Sequence, residues 1–203
     1  NSYTVWNYPL LEEIKFNKVP WSKREKSVCY KGGISEIRGI VNMVNAIGRT
    51  NARLILGGSF ENQNLFDKVS NMPGWKRTDY LGYLRRDSVS DVLGRCMAGL
   101  HVVYPLKRHL EGIPTKMFEY MAAGLPVVAS NFPLWREIVE GNHCGICVDP
   151  LDPKAIAEAI EFLITHPEEA RKMGENGRRA VETKYNWDAE AQKLLSLYRE
   201  LLR

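Results

Sequence analysis

No stretch of the 203-residue sequence stays apolar long enough to cross a bilayer. The longest candidates, Leu125 to Ser130 and Ala98 to Leu106, are too short or too interrupted, and no charged-then-apolar leader precedes them, so neither a transmembrane helix nor a signal peptide is expected. A long basic block is also missing. The 28 Lys and Arg are interspersed with 24 Asp and Glu, for a net charge of +4, which argues against a nucleic-acid stripe. Cysteine is scarce: Cys29, Cys96, Cys144 and Cys147 do not form a secreted disulfide framework, and a reducing cytosol is the simpler expectation. Cys144-Gly-Ile-Cys147, with His143 beside it, lacks the second ligand pair of a structural zinc site. It runs into Val148-Asp-Pro150 rather than a helix start, so a redox pair is also disfavoured and two residues packed along a strand are expected. An initiating Met is absent too. The chain opens on Asn1, within what reads as a strand and turn from Tyr3 to Pro9, and this predicts a piece of a longer protein.

What is present is an ordinary globular composition, 44% apolar and 26% charged. From residue 27 short apolar runs alternate with segments of helical period, the pattern of a parallel sheet covered by helices on both faces. Six strands are expected: Ser27 to Lys31, Arg53 to Gly57, Thr78 to Leu81, Gly99 to Tyr104, Pro126 to Ala129 and Gly145 to Val148. Ile37, Ile40, Val41 and Val44 mark one helical stripe, and Ile156, Ala159, Ile160 and Leu163 another. The fold class is therefore α/β, a Rossmann-like doubly wound parallel sheet. After Pro150 the chain reads as a helical tail: Pro153 to Thr165, Glu168 to about Tyr185, and Trp187 to the end. The last helix carries an apolar seam of Ala191, Leu194, Leu195, Tyr198, Leu201 and Leu202, which must pack on this sheet or on a domain outside this chain.

In such a sheet the ligand crevice lies beyond the carboxyl ends of the strands, so the loops there carry the chemistry. Gly32-Gly33 permits close backbone approach, and Arg38 near the next helix start would add charge for an anion. Gly82-Tyr83-Leu84 could lay Tyr83 or Leu84 against a flat base. The third loop is the most informative. Glu111-Gly112-Ile113-Pro114 leads into a helix from Thr115 to Ala123, with Thr115 expected as N-cap and Gly124 as stop. Glu119 falls near the ligand end of that helix, and both carboxylates could face one crevice with the backbone of Gly112 to Thr115 between them. Acids flanking anion donors suit a nucleotide-diphosphate sugar.

The stretch from Glu111 through Glu119 to Ala-Gly-Leu-Pro-Val-Val-Ala-Ser130 resembles the donor-binding C-terminal domain of family 4-type retaining glycosyltransferases of the GT-B fold. Gly32-Gly33 with Arg38-Gly39, Glu137-Ile-Val-Glu-Gly141, Cys144 to Pro150 and Tyr185-Asn-Trp187 support the resemblance in order along the chain. It implies that Glu111 contacts the donor sugar, Glu119 holds the ribose diol, Gly112 to Thr115 bind the diphosphate with Lys116 beside them, and the base lies near Tyr83 and Leu84. Arg38 would offset charge on the departing diphosphate. Gly33 departs from the family pattern, which often has Arg there; Lys107, Arg108 or Lys116 are candidates to compensate.

No Asp-x-Asp motif occurs, so a metal-independent, cofactor-free transfer is expected; the resemblance implies a UDP-, GDP- or ADP-sugar donor and retained configuration. The resemblance implies residues 1–26 as an interdomain segment and opening strand, 27–185 as the donor domain, and 186–203 as a C-terminal helix, with packing on this sheet and crossing to an absent N-terminal domain both open. A saccharide or lipid-linked acceptor would bind through that domain, in cell-surface polysaccharide or glycoconjugate synthesis, in the cytoplasm or at the inner membrane face. A nucleotide-sugar 2-epimerase on the same architecture and a nucleotide-binding module inert without its other half stay open as alternatives. A nicotinamide dehydrogenase fares badly, because neither Gly-Gly turn extends to Gly-x-Gly-x-x-Gly.

Overall fold

The computed structural model describes residues 4–10, 12 and 19–202, with the side chains of Arg86 and Asp87 left aside. Six parallel strands form one sheet in the order β3-β2-β1-β4-β5-β6: β1 Ser27–Lys31, β2 Arg53–Gly57, β3 Thr78–Gly82, β4 Ala98–His101, β5 Val127–Ser130 and β6 Gly145–Val148. Nine helices accompany them among the described residues: α1 Ile40–Ile47, α2 Gln63–Ser70, α3 Arg86–Arg95, α4 Lys107–Leu110, α5 Thr115–Ala122, α6 Pro133–Val139, α7 Pro153–Thr165, α8 Pro167–Thr183 and α9 Trp187–Leu201.

Alternation along β1 shows why both faces need cover. Val28 and Tyr30 point to one side, into a core with Ile40, Val44 and Ile47 of α1 and Ile156, Ile160 and Leu163 of α7. Cys29 points to the other, where Leu93 of α3, Met117 and Tyr120 of α5, Trp135 of α6 and Val181 of α8 close over it. With both faces buried, the strands read as continuous apolar runs. The order of the sheet reverses between β1 and β4, so the loops after these two strands diverge to opposite faces and leave a crevice between them.

Four expectations need correction. Strand β4 ends at His101 and not Tyr104, because Ser130 Oγ accepts from Val103 N at 2.8 Å and donates to Val103 O at 2.9 Å, taking over the backbone that a ladder would use. Ile37 precedes α1 in a 3-10 turn, Glu36–Arg38, because Gly39 at φ 79° breaks the helical path. Residues 107–110 form a helical turn where a loop was expected. At the amino end Tyr3 lies outside the described residues, and Thr4 to Pro9 form no strand.

Among the described residues, helix α9 is tied down by hydrogen bonds at its start. Asn186 Oδ1 caps Ala189 N at 3.0 Å, Trp187 N donates to Pro9 O at 3.1 Å, and buried Glu190 accepts from Trp6 N at 3.1 Å. Of its apolar seam Ala191 and Leu194 are half-buried, whereas Leu195, Tyr198, Leu201 and Leu202 are exposed. The sheet therefore does not cover the distal half of the seam.

Candidate donor-binding site

Two glycine turns form one wall of the crevice. After β1, Gly32 adopts φ 125°, and cations occupy the space that side chains would fill: a Cβ on Gly32 would lie 2.3 Å from Lys116 Cε, and one on Gly33 2.6 Å from Arg38 Nη1. Arg38 Nη1 also donates to Gly33 O at 3.2 Å. After β2, Gly58 adopts φ 141° and approaches the first turn so closely that a Cβ would meet Gly32 O at 1.8 Å. Glycine is the residue that permits both the dihedral and the approach.

The opposite wall is the first turn of α5. Pro114 takes the cap position without a side-chain cap bond, so Thr115 is the first helical residue and not the N-cap. Thr115 and Lys116 amides have no intrahelical acceptor by helix geometry, and the positive end of the helix faces the crevice. Pro114 has no N–H, which leaves Gly112, Ile113, Thr115 and Lys116 as the backbone donors of this turn. Trp135 Nε1 donates to Gly112 O at 2.8 Å and holds the turn from beneath.

Cavities lie on either side of that turn. A 420 Å³ cavity runs over Gly32, Gly33, Gly57, Gly58 and Ser59 to Tyr83 and Leu84, with Lys31 and Glu119 at its edge. Leu84 leans into the room left by Gly57, where a Cβ would stand 2.2 Å from Leu84 Cδ1. A 250 Å³ cavity on the other side is lined by Arg38, His101, Val103, Arg108, His109, Gly112 to Lys116 and Trp135. Thr115 and Lys116 wall both. A further cavity of 470 Å³ shares Lys31, Thr115 and Glu119 with the first and extends to Tyr8 and Trp187.

Charge is distributed unevenly across this frame. Glu119 Oε2 meets Lys31 Nζ at 2.5 Å, with side chains 28% and 19% exposed, and has no other partner among the described residues. Burial pushes the Lys116 ammonium down to about 8; Arg38 and Lys31 add to the fall and Glu119 opposes it.

The sequence model of the glycosyl transferases group 1 family matches residues 12–180. This chain belongs to that family. An uncharacterised glycosyltransferase of Methanocaldococcus jannaschii is 26% identical over 98% of this chain and 52% of its own length. The Staphylococcus aureus capsular polysaccharide biosynthesis glycosyltransferase CapM is 28% identical over 87% of this chain and 46% of its own. The crystal structure of Anabaena HepE in complex with UDP superposes with a TM-score of 0.83 at 16% identity, over 97% of this chain and 57% of that one. This glycosyl transferases group 1 domain thus spans about half the length of the relatives it matches.

Within the domain, the structure gathers most of the expected residues. Gly32, Gly33, Tyr83, Leu84, Thr115, Lys116 and Glu119 line the larger of the two flanking cavities, and Arg38, Gly112, Ile113 and Pro114 line the smaller. Tyr83 is 81% exposed, at the mouth. Glu111 is not gathered. It follows α4 with its side chain 68% exposed, 4.0 Å from Lys107 Nζ, and lines none of the three cavities. Of the candidates to compensate for Gly33, Lys116 reaches the glycine turn, Arg108 lines only the smaller cavity, and Lys107 lines neither.

Sequence reasoning missed Lys31, the Gly57-Gly58-Ser59 turn, His101 and Trp135. The second turn carried the same signal as the first, paired glycines after a strand. His101 was visible as the polar member of Leu100-His101-Val102-Val103. Cys144 and Cys147 are free, and the Cys144 thiol is buried and directed at Val139 O, 3.3 Å away, in keeping with packing along a strand.

Proposed function

We propose that this chain is the donor-binding half of a glycosyltransferase that takes a nucleotide-diphosphate sugar. The observation that carries the proposal is the α5 turn between two cavities: glycine-floored and acid-edged on one side, cationic on the other, with helix amides between. A nucleoside fits the first, with its ribose diol on Glu119 and its base beside Leu84 and Tyr83. The diphosphate lies over Thr115 and Lys116, and the sugar enters the second cavity. HepE, of the same fold, was solved with UDP, which supports a uridine nucleotide as the first candidate to test.

Transfer breaks the bond between the anomeric carbon and the outer phosphate oxygen and forms one to an acceptor oxygen, whose proton passes to the departing diphosphate. Negative charge grows on that diphosphate as the bond breaks. Arg38, Lys116 and the α5 amides are placed to stabilise it, which supports transfer without a metal ion. Retained configuration, by attack from the face of departure, is proposed on the resemblance carried by the Glu111 to Glu119 stretch. Glu111 would have to turn inward from its exposed position to touch a sugar hydroxyl, and we assign it positioning, not nucleophilic, work. The acceptor, saccharide or lipid-linked, is assigned to the half of the enzyme outside this chain, and the exposed end of the α9 seam is the surface that half would cover. A role in capsular or other cell-surface polysaccharide synthesis is proposed on the likeness to CapM.

Calorimetric titration with UDP, GDP and ADP tests the site. Binding of one of them with a dissociation constant below the millimolar range is expected, and no binding by any at millimolar concentration would overturn the proposal.

A further inference from the structure

The smaller cavity holds a group that the proposed transfer has not used. His101 ends β4 at the reversal of strand order and forms part of the cavity wall. It is 5% exposed, and its Nδ1 has no hydrogen-bond partner among the described residues. Buried polar nitrogens are nearly always paired, and one left open beside a cavity calls for a partner from outside the chain, a water or a ligand group. The ring is also fixed. It stacks on Trp135 with centroids 5.0 Å apart and planes at 23°, and the same indole is bonded to Gly112 O. The imidazole and the α5 turn are therefore held in one frame.

We infer that His101 is a specificity-determining residue that hydrogen-bonds a hydroxyl of the donor's glycosyl group. The inference rests on the donor-site proposal above. Burial, with Lys116, His109 and Arg38 adding positive charge around it, holds the imidazole down to about 3, so it is neutral at physiological pH. A neutral imidazole offers one donor and one acceptor nitrogen. A sugar hydroxyl, which both donates and accepts, matches it; a phosphate oxygen would be drawn to Arg38 and Lys116, which line the same cavity. Along the donor, the group beyond the diphosphate is the sugar.

His101→Phe keeps a flat ring against Trp135 and removes both nitrogens. Dissociation constants of UDP-glucose and UDP, and of GDP-mannose and GDP, are measured by calorimetry for both proteins. Loss of one neutral hydrogen bond weakens the sugar nucleotide roughly three- to tenfold, while the free diphosphate changes by less than about twofold. In a series of deoxy-sugar nucleotides, one missing hydroxyl weakens binding to the wild type and makes no difference to His101→Phe, a coupling that a packing role would not produce. Should His101→Phe fail to fold, His101→Leu, which also lacks a hydrogen-bonding group, serves the same comparison. Equal losses for sugar nucleotide and free nucleotide, or no loss for either, overturn the inference and leave the nucleotide site standing. Absence of any nucleotide binding by the wild type overturns the donor-site proposal and this inference with it.

Discussion

Glu119→Gln separates what the Glu119–Lys31 pair does for the fold from what it does for the ligand. The substitution keeps volume and removes charge from a carboxylate that meets Lys31 Nζ at 2.5 Å. Exposed pairs are worth up to about 1 kcal/mol and breaking a fully buried one costs about 3–5 kcal/mol. With side chains 28% and 19% exposed, this pair lies between, and a cost of about 2 kcal/mol follows, some 4–8 °C in Tm for a chain of this size. Lys31→Met strands the opposite charge and should cost a similar amount. The double variant strands neither and should recover most of the loss. Nucleotide affinity should behave differently. A ribose diol donating to a carboxylate gains about 1.5–3 kcal/mol per charge-assisted bond, so Glu119→Gln should lose about ten- to a hundredfold in diphosphate affinity. The double variant should not regain it. Thermal unfolding and calorimetry on the four proteins make the comparison. Additive destabilisation in the double variant would refute the ion pair, and restored nucleotide affinity there would refute the assignment of Glu119 to ribose.

Three further outcomes are expected. Gly58→Ala forces a side chain into a positive-φ position and against Gly32 O, so urea unfolding should show a loss of about 2 kcal/mol or more; a change under about 0.5 kcal/mol would mean that the two turns are not in contact. Glu111→Ala, exposed and weakly paired, should leave Tm and free-nucleotide affinity unchanged while weakening a sugar nucleotide; equal affinity for that ligand would remove Glu111 from the site. Lys116 is held near 8 in the folded chain against 10.5 for an ordinary lysine, so between those values the unfolded chain carries the extra proton and stability rises with pH. A diphosphate needs the protonated form, so its affinity should fall between pH 7 and 9, and Lys116→Met should flatten that slope while weakening binding at pH 7. A slope that persists in the variant would place the titrating group elsewhere.

The sequence was most legible where local pattern and tertiary role agree. Strands β1, β2 and β6 and helix α7 occupy the expected residues, because apolar runs and the Asp152-Pro153 start leave little choice. Apolar character alone misled at β4: Val102 and Val103 are buried as expected of a strand, yet a hydroxyl from the neighbouring strand ends the ladder. Thr115 has the chemistry of a cap and does not act as one, since Pro114 precedes it with extended dihedrals and the turn stays open. Glu119 and the first glycine turn, Gly32-Gly33, were legible because strand ends are known places for ligands. Lys31 and Trp135 were not, since nothing local relates them to Glu119 or Gly112 across 88 and 23 positions of sequence.

The bond from Trp135 to Gly112 O reaches further than its own energy. In a trans peptide the carbonyl and the next amide point in opposite directions, so a carbonyl anchored to the indole turns the Ile113 N–H away from it. A buried aromatic on α6 thereby sets the aim of a donor on another element, before any ligand arrives. The turn is thus braced from the hydrophobic interior, and its accuracy depends on how the core packs around the Trp135 indole.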